Sequence, residues 1–166
     1  MPRRLCVFLS VACVLLALAS VSCGNNTKPP SYIKEIVTYE EGDGLIVYFI
    51  LADENGEMTG CDGTATIKIT QEYTDWVGWD LVERTVTVYE KSRTVQAGDF
   101  EKATAGLGAF EHDIYAYFWG RVAKSDMKGL VEDTLPSGEI QLVFKPTSPL
   151  AGKEELVSKE SCFLPD

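Results

Sequence analysis

An apolar run near the start of the folded part of the chain, Leu45 to Ala52, sets the expected architecture. It is rich in β-branched and aromatic residues and too short for a typical helix, so it predicts a strand buried on both faces. Residues 53–56, Asp-Glu-Asn-Gly, favour a turn, because Asp and Asn bond their own backbone and Gly accepts a positive φ. Thr64 to Thr70 alternates apolar and polar residues, as is typical of a strand with one face in water.

The same alternation predicts further strands on both sides of this pair. They are Tyr32 to Tyr39, Leu81 to Tyr89, Ile114 to Ala123 and Glu139 to Lys145. Residues 71–80 lack the pattern and are expected to form a loop or a short irregular edge; residues 97–108 are expected to form a loop with Phe100 beneath it. About seven strands in about 115 residues predict an all-β fold, a single β-sandwich of immunoglobulin-like or fibronectin-like size, after an N-terminal signal helix.

The N-terminus has the pattern of an export signal. Arg3 and Arg4 precede the apolar run Leu5 to Leu18, and small residues then lead to Cys23. The run is shorter than the roughly 20 residues that a spanning helix needs, so we expect residues 1–22 to be a removed signal peptide. The alternative is an anchor that is not cleaved.

The residues around the expected cleavage site, Ala-Ser-Val-Ser-Cys-Gly at 19–24, resemble the lipobox of bacterial lipoproteins. The resemblance implies that a signal peptidase cuts before Cys23 after its sulfur has received a diacylglycerol. Ser20 departs from the pattern, since the family usually has Leu there. Ordinary cleavage after position 19 or 22 is the alternative, with Cys23 then a half-cystine or a free thiol.

Composition predicts four segments along the chain. Residues 1–22 are the signal peptide, 23–31 the lipidated cysteine with a polar, Pro-containing tether, 32–146 the β-sandwich domain and 147–166 a C-terminal tail. A short amphipathic helix from Lys153 to Lys159 is an alternative for part of the tail.

The surface charge is strongly acidic. The full chain carries a net charge of −10, and removing residues 1–22 takes away two arginines and no acidic residue, which gives −12. Nucleic acids and anionic lipid headgroups select basic patches, so we expect neither as a direct partner. The expected partners are the membrane, through the lipid anchor, and an envelope protein or polysaccharide.

The strand-turn-strand passage resembles bacterial Ig-like domains and their fibronectin-like relatives. The residues that carry this resemblance are Leu45, Leu51, Asp53, Asn55, Gly56, Gly63 and Ile69. Those domains usually have Pro and Val shortly after the turn glycine, where this chain has Glu57 and Met58. The resemblance implies adhesion, spacing or ligand display rather than catalysis, and it implies no cofactor.

Two tryptophans stand in the stretch with the weakest pattern, Trp76 and Trp79. A loop that displays two indoles is suited to stacking on sugar rings, because Trp offers a large rigid face at little cost in rotamer entropy. The alternative is that one or both indoles fold back and cap the sandwich.

A second aromatic set lies in the strand that begins at Ile114. If its aliphatic positions and Phe118 face the core, the opposite face is exposed and could bind a ligand. That opposite face holds Tyr115, Tyr117 and Trp119. The alternative is that both faces are covered, one by the facing sheet and the other by a loop.

Two cysteines inside the mature chain, Cys61 and Cys162, could form a disulfide bond in an exported protein. A zinc site that adds His112 to them is disfavoured, because no two of these residues stand at a metal-binding spacing.

The bend after the buried strand is acidic, with Asp53, Asn55 and Asp62 as weak candidates for a Ca²⁺ site. Their spacing is not that of an EF-hand, and turn chemistry explains the same residues without a metal.

The single histidine, His112, has no serine or cysteine in a nucleophile-elbow setting to act on. We therefore expect no enzymatic activity. The sequence predicts a non-catalytic binding or structural lipoprotein that is exported and anchored on the extracytoplasmic side of the cell membrane. A carbohydrate-binding module is the alternative.

Overall fold

The computed structural model describes residues 29–105, 112–131, 136–147 and 154–165. These residues form nine strands, namely β1 (Tyr32–Glu41), β2 (Gly44–Ala52), β3 (Met58–Thr59), β4 (Gly63–Val77), β5 (Asp80–Val95), β6 (Phe100–Ala105), β7 (His112–Ala123), β8 (Ser137–Pro146) and β9 (Leu156–Phe163). Two short 3₁₀ helices, Ala97–Asp99 and Lys124–Asp126, follow β5 and β7. The expected signal helix, residues 1–22, lies outside the described residues.

The strands form two antiparallel sheets. Sheet one has the order β1-β2-β7-β6, with β3 paired to the end of β2, and sheet two has the order β5-β4-β8-β9. Immunoglobulin-type sandwiches place strands A-B-E-D in one sheet and C-F-G in the other, with C′ beside C in the variable type. With the two-residue β3 left aside, β1-β2-β7-β6 corresponds to A-B-E-D and β5-β4-β8-β9 corresponds to C′-C-F-G. The predicted all-β sandwich is therefore confirmed.

The core lies between the two sheets, and in β2, β4 and β8 it follows the predicted pattern. Every residue of β2 except Tyr48 is buried, as expected for a strand covered on both faces. From sheet two, alternate side chains of β4 and β8 point inward and have no exposed surface. They are Ala65, Ile67, Ile69, Ile140, Leu142 and Phe144.

Two of the expected loops are wrong. Residues 71–80 are instead the end of β4, a two-residue turn and the start of β5. Within 97–108, one turn of 3₁₀ helix leads into β6, an edge strand of sheet one that pairs with β7. Phe100 is buried as expected. Both extended stretches were missed because an exposed or edge strand needs no apolar alternation.

The expected tail, residues 147–166, is also wrong. Residues Leu156–Phe163 form β9, which pairs with β8 along its length and closes one edge of sheet two. Leu156 and Leu164 are buried in the core. The folded domain therefore continues beyond Pro146, and the alternative helix over 153–159 does not form in its described part, 154–159.

β1 begins at one end of the sandwich, and the longest hairpin, β4-β5, projects from the opposite end. Ser31 N–H, just before β1, donates to Ala52 O at the end of β2 over 2.7 Å. The connection through β3 to the start of β4 lies at this same end. From Gly63 to Val77, β4 runs toward the opposite end over 15 residues. At about 3.3 Å per residue this is roughly 50 Å.

Candidate functional site

The most distinctive feature of the described surface is a two-stranded arm, residues 72–85, that continues sheet two beyond its other strands. β4 pairs with β8 only as far as Gln71, which lies opposite Gly138, whereas it pairs with β5 out to Val77 opposite Asp80. The arm forms locally because Gly78, with φ +69°, accepts the left-handed conformation that a two-residue hairpin turn requires. The arm extends about six residues, or roughly 20 Å, beyond the point where β8 begins.

Large apolar side chains are concentrated at the arm's tip and are exposed. Trp79 in the turn is 97% exposed and Trp76 is 69% exposed. Trp76 lies directly opposite Leu81, so these two share one face, while Val77 and Val82 lie on the other face. All five side chains have more than a third of their surface in solvent. The structure therefore excludes the alternative in which one or both indoles fold back and cap the sandwich.

Acidic side chains flank this apolar tip. Four carboxylates lie on the arm, and Arg84 is its one cation; Arg84 Nε lies 3.3 Å from Asp75 Oδ2. The remaining carboxylates, Glu72, Asp80 and Glu83, give the arm a net charge of −3. All of these groups are exposed, so they act through the local potential rather than through strong individual bonds.

A cavity of about 250 Å³ lies at the base of the arm, where β8 begins and β9 ends. Glu72 of the arm, Glu139, Cys162 and Phe163 line it, and Lys159 Nζ donates to Glu139 Oε1 over 2.6 Å. Burial, and to a smaller extent the charge of Glu139, raises the pKa of the Cys162 thiol to about 11. This thiol is therefore neutral at physiological pH and a weak nucleophile.

The faces expected for the second aromatic set are reversed. Trp119 is 1% exposed, and Tyr115 and Tyr117 are half-buried and pack against the core between the sheets. Phe118, expected inside, is instead 45% exposed on the outer face of sheet one, where its ring centroid lies 4.8 Å from that of Tyr48.

A β-bulge explains this reversal. The register between β2 and β7 shifts at Val47, because Gly120 lies opposite Val47 and Phe118 lies opposite Tyr48. Trp119 is the extra residue, and Gly120 with φ +112° makes the bend possible. Val122, beyond the bulge, faces the core as expected. The indole of Trp119 is thus unavailable for stacking on a ligand.

Cys61 and Cys162 do not form the disulfide bond that the sequence allowed. Cys61 lies two residues before Gly63, the first residue of β4. Cys162 pairs with Gly138, which in turn pairs with Gln71, ten residues after Cys61. This register separates the two cysteines by roughly 30 Å, far more than the Cα separation of about 6 Å that a disulfide needs. Both side chains are buried, at opposite ends of the sandwich.

The candidate Ca²⁺ ligands bind different parts of the backbone. Asp53 Oδ1 accepts hydrogen bonds from the N–H groups of Asn55 and Glu57, at 2.8 and 3.0 Å, and so closes the turn after β2. Asp62 Oδ1 accepts from Ala97 N–H at 2.7 Å, which attaches the connection after β5 to the start of β4. Within the described ranges, no three His, Cys, Asp or Glu side chains form a group that could hold a metal ion.

The lipidation candidate, Cys23, and the side chain of His112 lie outside what the structure describes. In the described part of the chain, no helix has the length and apolar character needed to cross a membrane.

Sequence reasoning identified both exposed tryptophans but missed that Val77, Leu81 and Val82 join them on one hairpin. The signal was present: a valine, a two-residue Gly-Trp turn and an aspartate stand between two β-forming runs. Comparisons of this chain with protein-family models, curated proteins and solved structures found no match.

Proposed function

We propose that this chain is an exported, non-catalytic binding protein of the cell envelope, held to the membrane by a lipid on Cys23, and that it binds through the arm. The observation that carries the proposal is the exposed apolar tip formed by Trp76, Val77, Trp79, Leu81 and Val82. Exposed clusters of large apolar side chains typically mark interaction sites. Indole and aliphatic groups supply contact area rather than bond-making chemistry.

The placement of the arm supports this role. The chain enters the sandwich beside Ser31, and the tip of the arm lies roughly 50 Å away at the other end. A tether of residues 23–31 reaches at most about 30 Å. A lipid at Cys23 would therefore hold the entry end near the bilayer and direct Trp79 away from it, toward partners beyond the membrane surface.

Carbohydrate binding is the second candidate, and the exposure of two neighbouring indoles favours it. Trp76 and Trp79 offer flat apolar faces of the kind that stack on sugar rings. The site would use these two residues without Trp119, which is buried.

Site-specific photo-crosslinking in the producing cells tests the binding role. A photoreactive amino acid at position 79 of the full-length protein should give discrete crosslinked products, whereas one at the exposed position Glu101 on β6 should not. Equal crosslinking at both positions, or none at 79, would contradict the proposal. Partition of the Cys23→Ala protein into the aqueous rather than the detergent phase would support the lipid anchor.

Affinity electrophoresis of the full-length protein against neutral polysaccharides tests the second candidate. Retardation that Trp79→Ala abolishes would support sugar binding. The matched control is Val157→Ala, an exposed apolar residue on β9, outside the arm.

A further inference from the structure

The arm combines two properties that together define a partner: exposed indoles and an uncompensated negative charge. We propose that the arm docks a basic segment of a partner protein, with arginine or lysine side chains placed on Trp76 and Trp79 and between the flanking carboxylates. This inference rests on the proposed binding role of the arm and names the class of partner.

The charge distribution of the arm favours a basic partner. Arg84 is paired with Asp75, which leaves Glu72, Asp80 and Glu83 without a cation on the arm. The rest of the chain adds to the same sign, because the net charge is −10 before any processing. Such a field attracts a basic surface and speeds its approach, and it repels nucleic acids and anionic lipid.

The exposed indoles also favour a basic partner, because a tryptophan face attracts cations. The protein already uses this chemistry at the margin of its core, where the guanidinium carbon of the exposed Arg93 lies 4.5 Å from the ring centroid of the buried Trp119. Lys91 Nζ lies 5.2 Å from the ring centroid of Tyr89 on the same strand. Trp76 and Trp79 present the same type of ring to solvent. Glu83, opposite Thr74, lies on the same face of the arm as Trp76, where it could pair with the same cation.

The strand geometry gives such a segment a place to bind. Within the described ranges, residues 72–77 of β4 pair on one side only, with β5. An extended segment can add to a strand edge through main-chain hydrogen bonds while alternate side chains confer specificity. Along this edge the cavity at the arm's base would receive the first basic side chain beside Glu72, since Glu139 in the same cavity already accepts a hydrogen bond from Lys159.

A defined cationic probe tests the inference on the full-length protein in a non-ionic detergent. The probe is a fluorescein-labelled nona-arginine peptide, compared with a Gly-Ser peptide of equal length, and the readouts are fluorescence anisotropy and quenching of tryptophan emission. We expect the arginine peptide to bind and the Gly-Ser peptide not to. Trp79→Ala should weaken binding about three- to tenfold, and Asp80→Asn with Glu83→Gln should weaken it about tenfold.

Matched controls separate docking on the arm from general attraction to an acidic protein. Glu101→Gln removes one exposed carboxylate far from the arm and should change Kd less than twofold. Loss of binding that is equal in Glu101→Gln and in the arm variants, or binding that does not depend on Trp79, would overturn the inference. So would absence of binding, or a Trp79-dependent response to a neutral polysaccharide with none to the arginine peptide.

The same data distinguish this inference from the proposed function. If photo-crosslinking at position 79 persists in cells while the arginine peptide does not bind, the basic partner is wrong and the binding role of the arm stands. If both fail, both proposals are wrong.

Discussion

The indole nitrogen of Trp119 donates a hydrogen bond of 3.1 Å to the phenolic oxygen of Tyr89, inside the core. Trp119 belongs to β7 in sheet one and Tyr89 to β5 in sheet two, so this bond joins the two layers of the sandwich. Arg93 stacks on the same indole and donates a short hydrogen bond to the backbone oxygen of Trp119. The largest aromatic residue of the core is thus oriented by polar contacts as well as by packing.

We predict that Tyr89→Phe lowers the free energy of unfolding by about 1–3 kcal/mol, because it leaves the buried Trp119 N–H without this acceptor. Urea unfolding followed by far-UV circular dichroism measures the change. Tyr73→Phe, on the solvated part of β4, is the matched control and should lie within about 0.5 kcal/mol of wild type. Equal effects of the two substitutions would mean that the inter-sheet bond contributes nothing.

Gln71, only 3% exposed at the base of the arm, fixes the segment that crosses from β7 toward β8. Its Nε2 donates to Val131 O at 3.1 Å, and its Oε1 accepts from Val131 N–H at 2.8 Å. We predict that Gln71→Leu costs about 1–3 kcal/mol in unfolding free energy, since it removes both bonds at a buried position. Gln141→Leu, half-buried on β8, is the control, and a loss as large in that variant would contradict the prediction.

The Cys162 thiol should react with alkylating reagents only at high pH. Its pKa rises from an ordinary value of 9.0 to about 11 in the folded protein, chiefly by burial and secondly by Glu139. Because the unfolded thiol ionises first, its effect on stability is fully favourable below pH 9 and is lost as the pH rises toward 11. Peptide mapping after iodoacetamide treatment from pH 7 to 11 measures the labelling of Cys162.

The stability effect is isolated by comparing wild type with Cys162→Ala over the same pH range. The difference between the two unfolding free energies should shrink from pH 9 to 11. Rapid alkylation at pH 7.5, or a pH-independent difference, would show that the thiol is not shielded.

We predict that backbone amides of the arm, residues 72–85, exchange with solvent faster than those of β4 from Gly63 to Gln71. An isolated two-stranded hairpin is marginally stable in water, and the arm lacks the pairing with β8 that the rest of β4 has. Hydrogen exchange followed by mass spectrometry measures both stretches in one experiment. Equal protection of the two stretches in the isolated protein would contradict the prediction and would indicate that the arm is covered in solution. Addition of the arm's partner should slow exchange in the arm to the rate seen in the rest of β4.

The sequence predicted the strands in which burial fixes the pattern of apolar and polar residues. Leu45 to Ala52 had to be covered on both faces, and the alternation in 64–70 assigned Ala65, Ile67 and Ile69 to the core; both predictions are confirmed. In β9, by contrast, most side chains between Leu156 and Cys162 are exposed, so an edge strand looked like a solvated tail. Its position is determined by pairing with β8, which a local pattern does not encode.

The candidate site likewise has some features that the sequence determined and others that only the tertiary structure determined. The sequence by itself determined the residue types of the arm, namely two tryptophans, flanking acids and a Gly-containing turn, because these are local properties. Only the tertiary structure decided that the pairing of β4 with β8 stops at Gln71, opposite Gly138, and leaves the next residues of β4 projecting as an arm. It also decided that a bulge at Gly120 turns Trp119 inward. Where a strand ends and which face it buries depend on its neighbours in the sheet, since pairing register is set between strands that are distant in the chain.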